Sequence, residues 1–264
     1  MGNNDRIEPL RTERWASLFE VPAGPEAGHQ RTRPALSRIS DVAVPPPAQA
    51  VTTQVAGQLS VHEHTLAIDI VNFLDSSFNE RLQRCGFSAR QIEGAAQGLL
   101  NKGLAQQVWL GKNRMLAPTG KLYGLLGLES PYGDSQWNLH TFLTLLGVPL
   151  LEHNPLVKYV KRSVPLDGPT PPVIDLVAYL KDGNRIAVEV IHRCITNVAG
   201  HAAKLIGKNY AQLLFLCTDF DQKERVRAII HNCGFDAGFH STIRYQIFGA
   251  LLRQKKQMQL RDKP

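Results

Sequence analysis

Two strand-like runs, "VIDLVAYL" and "RIAVEVI", each carry one acid inside an otherwise apolar core, Asp175 and Glu189. Two carboxylates brought together could hold a divalent cation. Each could equally end as a structural charge, Asp175 capping a strand beside Pro171-Pro172. A carboxylate within "RIAVEVI" is costly to bury without a partner, and Lys204 or His201 on the following segment are the candidates to neutralise Glu189 as a buried pair. The intervening "KDGN" suits a two-residue type I′ turn through Asp182-Gly183, so a hairpin would set the two acids side by side.

The elements needed to position these acids can be read on either side. "DSQWNLHTFLTLLG" is helical in period, with Trp137, Phe142, Leu145 and Leu146 inward, and "KYVKRSV" reads as a strand. "ITNVAGHAAKLIGKNY" reads as a helix, "QLLFLCTD" as a strand buried on both faces, and "DQKERVRAIIHNCGF" as a further helix. The α-β-β-β-α-β order of residues 129–250 resembles the core of PD-(D/E)xK restriction-endonuclease-like domains. That resemblance implies Asp175 and Glu189 as magnesium ligands, since hard cations take oxygen donors. It also implies a lysine at position 191 to polarise the attacking water. Here the residue is Ile191. Lys204, or Lys208, on the next helix is the cation that could reach the same pocket. The preceding helix, Trp137 to Gly147, holds no acid, and Asn138 and His140 are its polar candidates for facing the site. Glu152 and His153 could join the acids only if their segment edges the sheet.

Residues 56–128 have another pattern. "SVHEHTLAIDIVNFLDSS" and "FNERLQRCGF" read as two helices. "SARQIEGAAQGLLNKG" reads as a third, with Ser88 as N-cap, an apolar stripe of Ile92, Ala95, Ala96, Leu99 and Leu100, and Gly103 as its stop. "LAQQVWLGKNRMLAPT" reads as a hairpin around "GKN", and Pro118 as the start of a last helix. Ser88, Ile92, Ala96, Leu100, Gly103 and Leu104, with the closing "LAPTGKLYG", resemble a winged helix-turn-helix. Such a unit is expected to present Ser88, Arg90, Gln91 and Glu93 to base edges, and Lys112 and Arg114 to phosphate. Glu93 would repel phosphate, and winged helices also dock proteins.

Residues 1–55 combine Pro, Gly, Ala and balanced charge, six basic and six acidic. They are expected to be an arm and linker in which "RTERWASLFEV" is a possible docking peptide, with Trp15, Leu18 and Phe19 on one face. Residues 251–264, with five basic residues and one acidic, read as a basic tail. The net charge of +7 suits a polyanionic partner. No apolar run reaches the roughly 18 residues of a membrane helix, no secretory leader is expected, and Cys85, Cys194, Cys217 and Cys233 lack C-x-x-C spacing, which fits a cytoplasmic setting. His192 with Cys194, and His231 with Cys233, are weak candidates for ligand pairs.

The expected fold class is α/β (α+β), with a winged helix before a nuclease-like domain. The expected function is DNA binding, with a nuclease-like site lacking its lysine. Such an architecture resembles accessory proteins of mobile elements and anti-phage assemblies. One alternative is a magnesium-dependent endonuclease using Asp175, Glu189 and Lys204. The other is a protein-docking adaptor.

Overall fold

The computed structural model describes residues 59–133, 135, 137–166, 172–192 and 195–261. The arm and its "RTERWASLFEV" peptide lie outside the described residues. The fold is mixed α and β. Three helices come first, α1 (Val61–Asn72), α2 (Phe78–Cys85) and α3 (Ala89–Asn101). Each starts at a serine, Ser60, Ser77 or Ser88, whose hydroxyl and the Glu or Gln three residues on cap the turn reciprocally. The antiparallel hairpin β1 (Ala105–Leu110) and β2 (Asn113–Pro118) follows. Pro118 ends β2, and the short helix α4 (Gly120–Leu125) is capped by Thr119, one residue beyond the expected start. Proline lacks the side-chain acceptor a cap requires, and the Thr119 hydroxyl supplies it.

Helix α5 (Leu139–Glu152), capped by Asn138, leads into a five-stranded sheet ordered β3-β4-β5-β6-β7. Strands β3 (Val157–Pro165), β4 (Val173–Leu180) and β5 (Arg185–Ile191) run antiparallel. Helix α6 (Val198–Ala203) crosses to β6 (Gln212–Cys217), which runs parallel to β5. Helices α7 (Phe220–His231) and α8 (Ala237–Thr242) precede β7 (Ile243–Ile247), parallel to β6, and α9 (Phe248–Arg261) closes the described chain. Among the described residues no helix is long and apolar enough to cross a membrane.

Three departures from expectation have local causes. Gly183 alone in the β4–β5 turn takes positive φ, and Gly183 N–H donates to Leu180 O while Leu180 N–H donates to Asn184 O. A type I′ turn needs positive φ at Asp182 as well, so the loop is one residue longer than expected. The helix expected over 195–210 is a six-residue α6, because the chain tightens after Ala203 into turns in which Leu205 N–H donates to Ala202 O and Ile206 N–H to Ala203 O, before Gly207 reverses it at φ 71°. Residues read as a basic tail are, to Arg261, the helix α9. Phe248, Leu251, Leu252 and Lys255 recur at helical spacing along its buried side.

The sheet separates two cores. On one face α5, α9 and the β1–β2 hairpin close over Leu176, Val188, Val190 and Leu216, so the helical unit and the sheet share one core. On the other face Val198, Ala202, Val226 and Ile230 of α6 and α7 cover Val177, Ile191 and Phe215. Burial of these apolar surfaces is the main stabilising term. Gly147 lets α5 approach β4 closely, since a Cβ there would stand 2.7 Å from Leu176 Cδ1.

Candidate functional site

Strands β3 and β4 exchange faces beside Asp175. Val160 and Leu176 pack into the first core, whereas Val164 and Ile174 pack into the second. Ser163, opposite Asp175 in the ladder, takes φ 51°, a left-handed conformation uncommon outside glycine. The β4–β5 pairing stops at Leu176 and Val188, one step short of the two acids. The strands therefore part where the carboxylates lie.

Asp175 fills that gap. Its Oδ2 accepts the Val190 N–H at 2.8 Å, and its Oδ1 lies 3.1 Å from His140 Nε2 on α5. Burial pushes the Asp175 carboxyl up. The bond and charge of His140, the Val190 amide and the charge of Lys204 outweigh that and hold it below the ordinary range. The His140 imidazole is raised above its ordinary value by the bond to Asp175, against a lowering by burial.

Glu189 is 0% exposed. Its Oε1 stands 2.8 Å from Lys204 Nζ and its Oε2 2.7 Å from His201 Nδ1. Both are within ion-pair distance, but neither contact has hydrogen-bond geometry, and Lys204 supplies the charge that faces the enclosed carboxylate. Lys204 is fixed from a third side by donating to Val173 O at 2.6 Å. It sits at the C-cap of α6, where the early end of that helix aims its ammonium at the sheet. Ile191 lies on the second face in the apolar cluster with Val198 and Ala202. His140 and His192 complete the rim, with ring centroids 5.3 Å apart.

The structure thus brings together Asp175, Glu189, Lys204, His201 and His140. It does not bring in Lys208, Glu152 or His153. Lys208 is exposed on the turn beyond α6. Glu152 accepts the Val160 N–H, and His153 pairs with Asp75 at the junction of the two units. Cys233 donates its thiol to Ile229 O, and Cys194 lies outside the described residues.

The acids fit magnesium poorly as they stand. The cation wants oxygen ligands in near-octahedral array. Both Asp175 oxygens are engaged by His140 and Val190, and the two Glu189 oxygens face Lys204 and His201 of the chain itself. Among the described residues no three His, Cys, Asp or Glu side chains converge as a metal site.

In the helical unit, most residues expected to contact DNA already have partners. Ser88 and Gln91 cap each other, and Gln91 Nε2 lies 3.2 Å from His62 Nε2. Arg114 Nη1 reaches both Glu93 oxygens, at 2.7 and 2.9 Å, and its guanidinium lies over the Phe78 ring. Arg90 and Lys112 are exposed.

A basic surface not singled out from the sequence lies on β3, the open edge of the sheet. Lys158, Lys161 and Arg162 are exposed there. Tyr159 and Tyr179 stack at 4.5 Å, with Lys161 Nζ within 6 Å of both rings. Arg162 is close enough to α4 for its charge to act on Tyr123. The signal was the "KYVKR" string itself, but only the pairing of Tyr159 with Tyr179 makes it a surface. Comparison with known proteins matches the chain to no family model, no curated protein and no solved structure.

Proposed function

We propose that this chain is a DNA-binding protein: a winged-helix-like unit packed on a PD-(D/E)xK-like sheet whose acidic site is closed by the chain's own Lys204 and His201. The observation that carries the reading is the exposed β3 edge, where Lys161 lies against a stacked tyrosine pair and Lys158 and Arg162 are exposed on the same strand. Cations engage phosphates without regard to sequence, and an aromatic face stacks on exposed bases. Arg90 and Lys112 would extend the contact from the helical unit. The topology of the sheet, with one acid on β4 and one on β5 where the strands part, supports the likeness to the nuclease-like fold. The enclosure of Glu189 between Lys204 and His201 supports a binding rather than a cutting role.

Filter binding to duplex and single-stranded oligonucleotides across a salt series tests this. Affinity should fall steeply with salt, as counterion release requires. The triple variant Lys158→Ala, Lys161→Ala, Arg162→Ala should bind more weakly with a slope shallower by about two to three. Salt-independent binding, or none, would turn the reading towards a protein-docking adaptor. One observation favours a second reading, a magnesium-dependent endonuclease: Lys204 does reach Glu189, from the helix following the strand.

A further inference from the structure

The aromatic surface at the β3 edge does not stop at that strand. Tyr159 of β3 stands opposite Tyr179 of β4 in the ladder, and Tyr179 stands opposite Arg185 of β5. Residues directly opposite in a ladder share one face of the sheet. That face is the second one, since Val177 and Ala187, two residues from Tyr179 and Arg185, lie in its core. Lys161, opposite Val177, shares it. Arg185 carries the row on to the start of β6. Its Nη2 donates to Asn209 O at 2.8 Å, and its guanidinium lies over the Tyr210 ring at 4.9 Å. Three strand spacings make the row about 14 Å long.

Cations and rings alternate along it. Tyr159 and Tyr179 stack at 4.5 Å, with Lys161 Nζ 5.8 and 5.5 Å from their centres. Tyr179 covers one face of the Tyr159 ring. The other face looks off the edge of the sheet, where no strand follows β3 among the described residues. Tyr159 is accordingly exposed, and Tyr179, Arg185 and Tyr210 are half-buried. Among the described residues Lys161 and Arg185 meet rings and a carbonyl rather than a carboxylate, so both charges stay available. Asp182, in the turn between β4 and β5, is occupied by the Asn184 N–H and Nδ2. Lys208, two residues before Tyr210, is exposed.

Building on the DNA-binding reading, on which this step rests, we infer that the row selects single-stranded DNA over duplex. In a duplex the bases cover one another and show only their edges in the grooves. A tyrosine face has nothing to cover there. The major groove admits a helix or a two-stranded ribbon, and a row spread over three strands is broader than that. A single strand can lay a base on the open face of Tyr159 while its phosphates meet Lys161 and Arg185. Ring faces accept every base, and the cations between them follow the backbone, so the recognition is tolerant of sequence. The net charge of +7 complements such a ligand.

The full chain is titrated by fluorescence anisotropy, across a salt series, with a labelled thymidine oligomer of about twelve nucleotides, a duplex of the same length and the matching uridine ribo-oligomer. The thymidine oligomer should bind about tenfold more tightly than the duplex at equal salt. Tyr159→Leu should weaken the thymidine oligomer by about tenfold with an unchanged salt slope, because a ring face is lost and no charge. Tyr159→Phe keeps the ring and should bind as the parent does. Lys161→Ala, at an exposed position that serves if Tyr159→Leu does not fold, should make the slope shallower by about 0.7. Duplex binding as tight as that of the single strand, or undiminished single-strand binding by Tyr159→Leu, would overturn the inference and leave the DNA-binding reading in place. Binding to neither DNA, or to the ribo-oligomer alone, would remove both.

Discussion

Two buried groups of charge invite comparison, one at the parted strands and one at the junction of the units. At the junction Asp75 Oδ2 meets His153 Nε2 at 2.8 Å and Lys255 Nζ at 2.9 Å. Lys255 also donates to Asp75 O at 3.0 Å and pairs with Glu80 at 3.2 Å, while Glu80 caps α2. Lys255 donates a directed hydrogen bond to Asp75 O and stands within ion-pair distance of the Asp75 and Glu80 carboxylates, and with His153 it ties α9 and α5 to the start of α2. At the parted strands, Asp175 is likewise hydrogen-bonded, but Glu189 stands against Lys204 and His201 without directed bonds. The junction is built for rigidity. The acid site keeps a carboxylate with acceptor capacity and a lysine beside it, as a binding or catalytic pocket would, yet encloses both.

Breaking the junction should have the largest effect. Lys255→Met leaves the buried Asp75 and the half-buried Glu80 without their ammonium and should cost roughly 3–5 kcal/mol, read by urea unfolding. A loss below about 1 kcal/mol would show that water replaces the ammonium there. Next comes the acid site. Lys204→Met leaves Glu189 with His201 alone and should destabilise by about 2–4 kcal/mol. The double variant Glu189→Leu with Lys204→Met should recover most of that, since an apolar pair of similar size replaces a buried ion pair at little cost. A double variant as weak as the sum of its singles would mean that Glu189 makes further bonds.

Acid sharpens the comparison further. Burial raises the Asp75 carboxyl, but His153 and Lys255 pull it down to about 2. A carboxyl depressed on folding contributes stability that is present above the unfolded value near 4 and is lost as pH falls towards 2. Roughly 2 kcal/mol should disappear over that window, and Asp75→Asn should abolish the dependence. His140 has the opposite sign. Its raised value means that its contribution is present below its ordinary pKa and is lost as pH rises through the folded one. The stability gap between wild type and His140→Ala should narrow with rising pH. The smallest effect belongs to the half-exposed Arg114–Glu93 pair, where Arg114→Ala should change stability by less than about 1 kcal/mol.

Much of this arrangement was legible in the sequence, because its signals are local. The serine caps, the apolar stripe of α3 and the alternation of β3 to β5 are each set by residues a few positions apart. The pairing of Glu189 with Lys204 and His201 was also foreseeable, since a helix after a strand returns across it. What stayed hidden depends on distant partners. Lys255 counts as a tail charge until Asp75 and Glu80, far away in the chain, are seen to enclose it. Arg81, 1% exposed, looks like a surface residue of α2 until it meets Asp69 and Phe73 O. The fate of Arg114 was set by Glu93, a residue read as facing base edges and repelling phosphate, not as its partner. Strand β7 and helix α8 carry a short, mixed pattern that no local rule separates from a loop.

The most direct measurement is incubation of plasmid and oligonucleotide DNA with magnesium or manganese, comparing wild type with Glu189→Ala and Lys204→Ala under conditions where binding is established. A closed acid site on a DNA-binding protein predicts salt-sensitive binding and no metal-dependent cleavage by any of the three. Cleavage by wild type that is lost in both variants would contradict it and make the enclosed pair a working catalytic site.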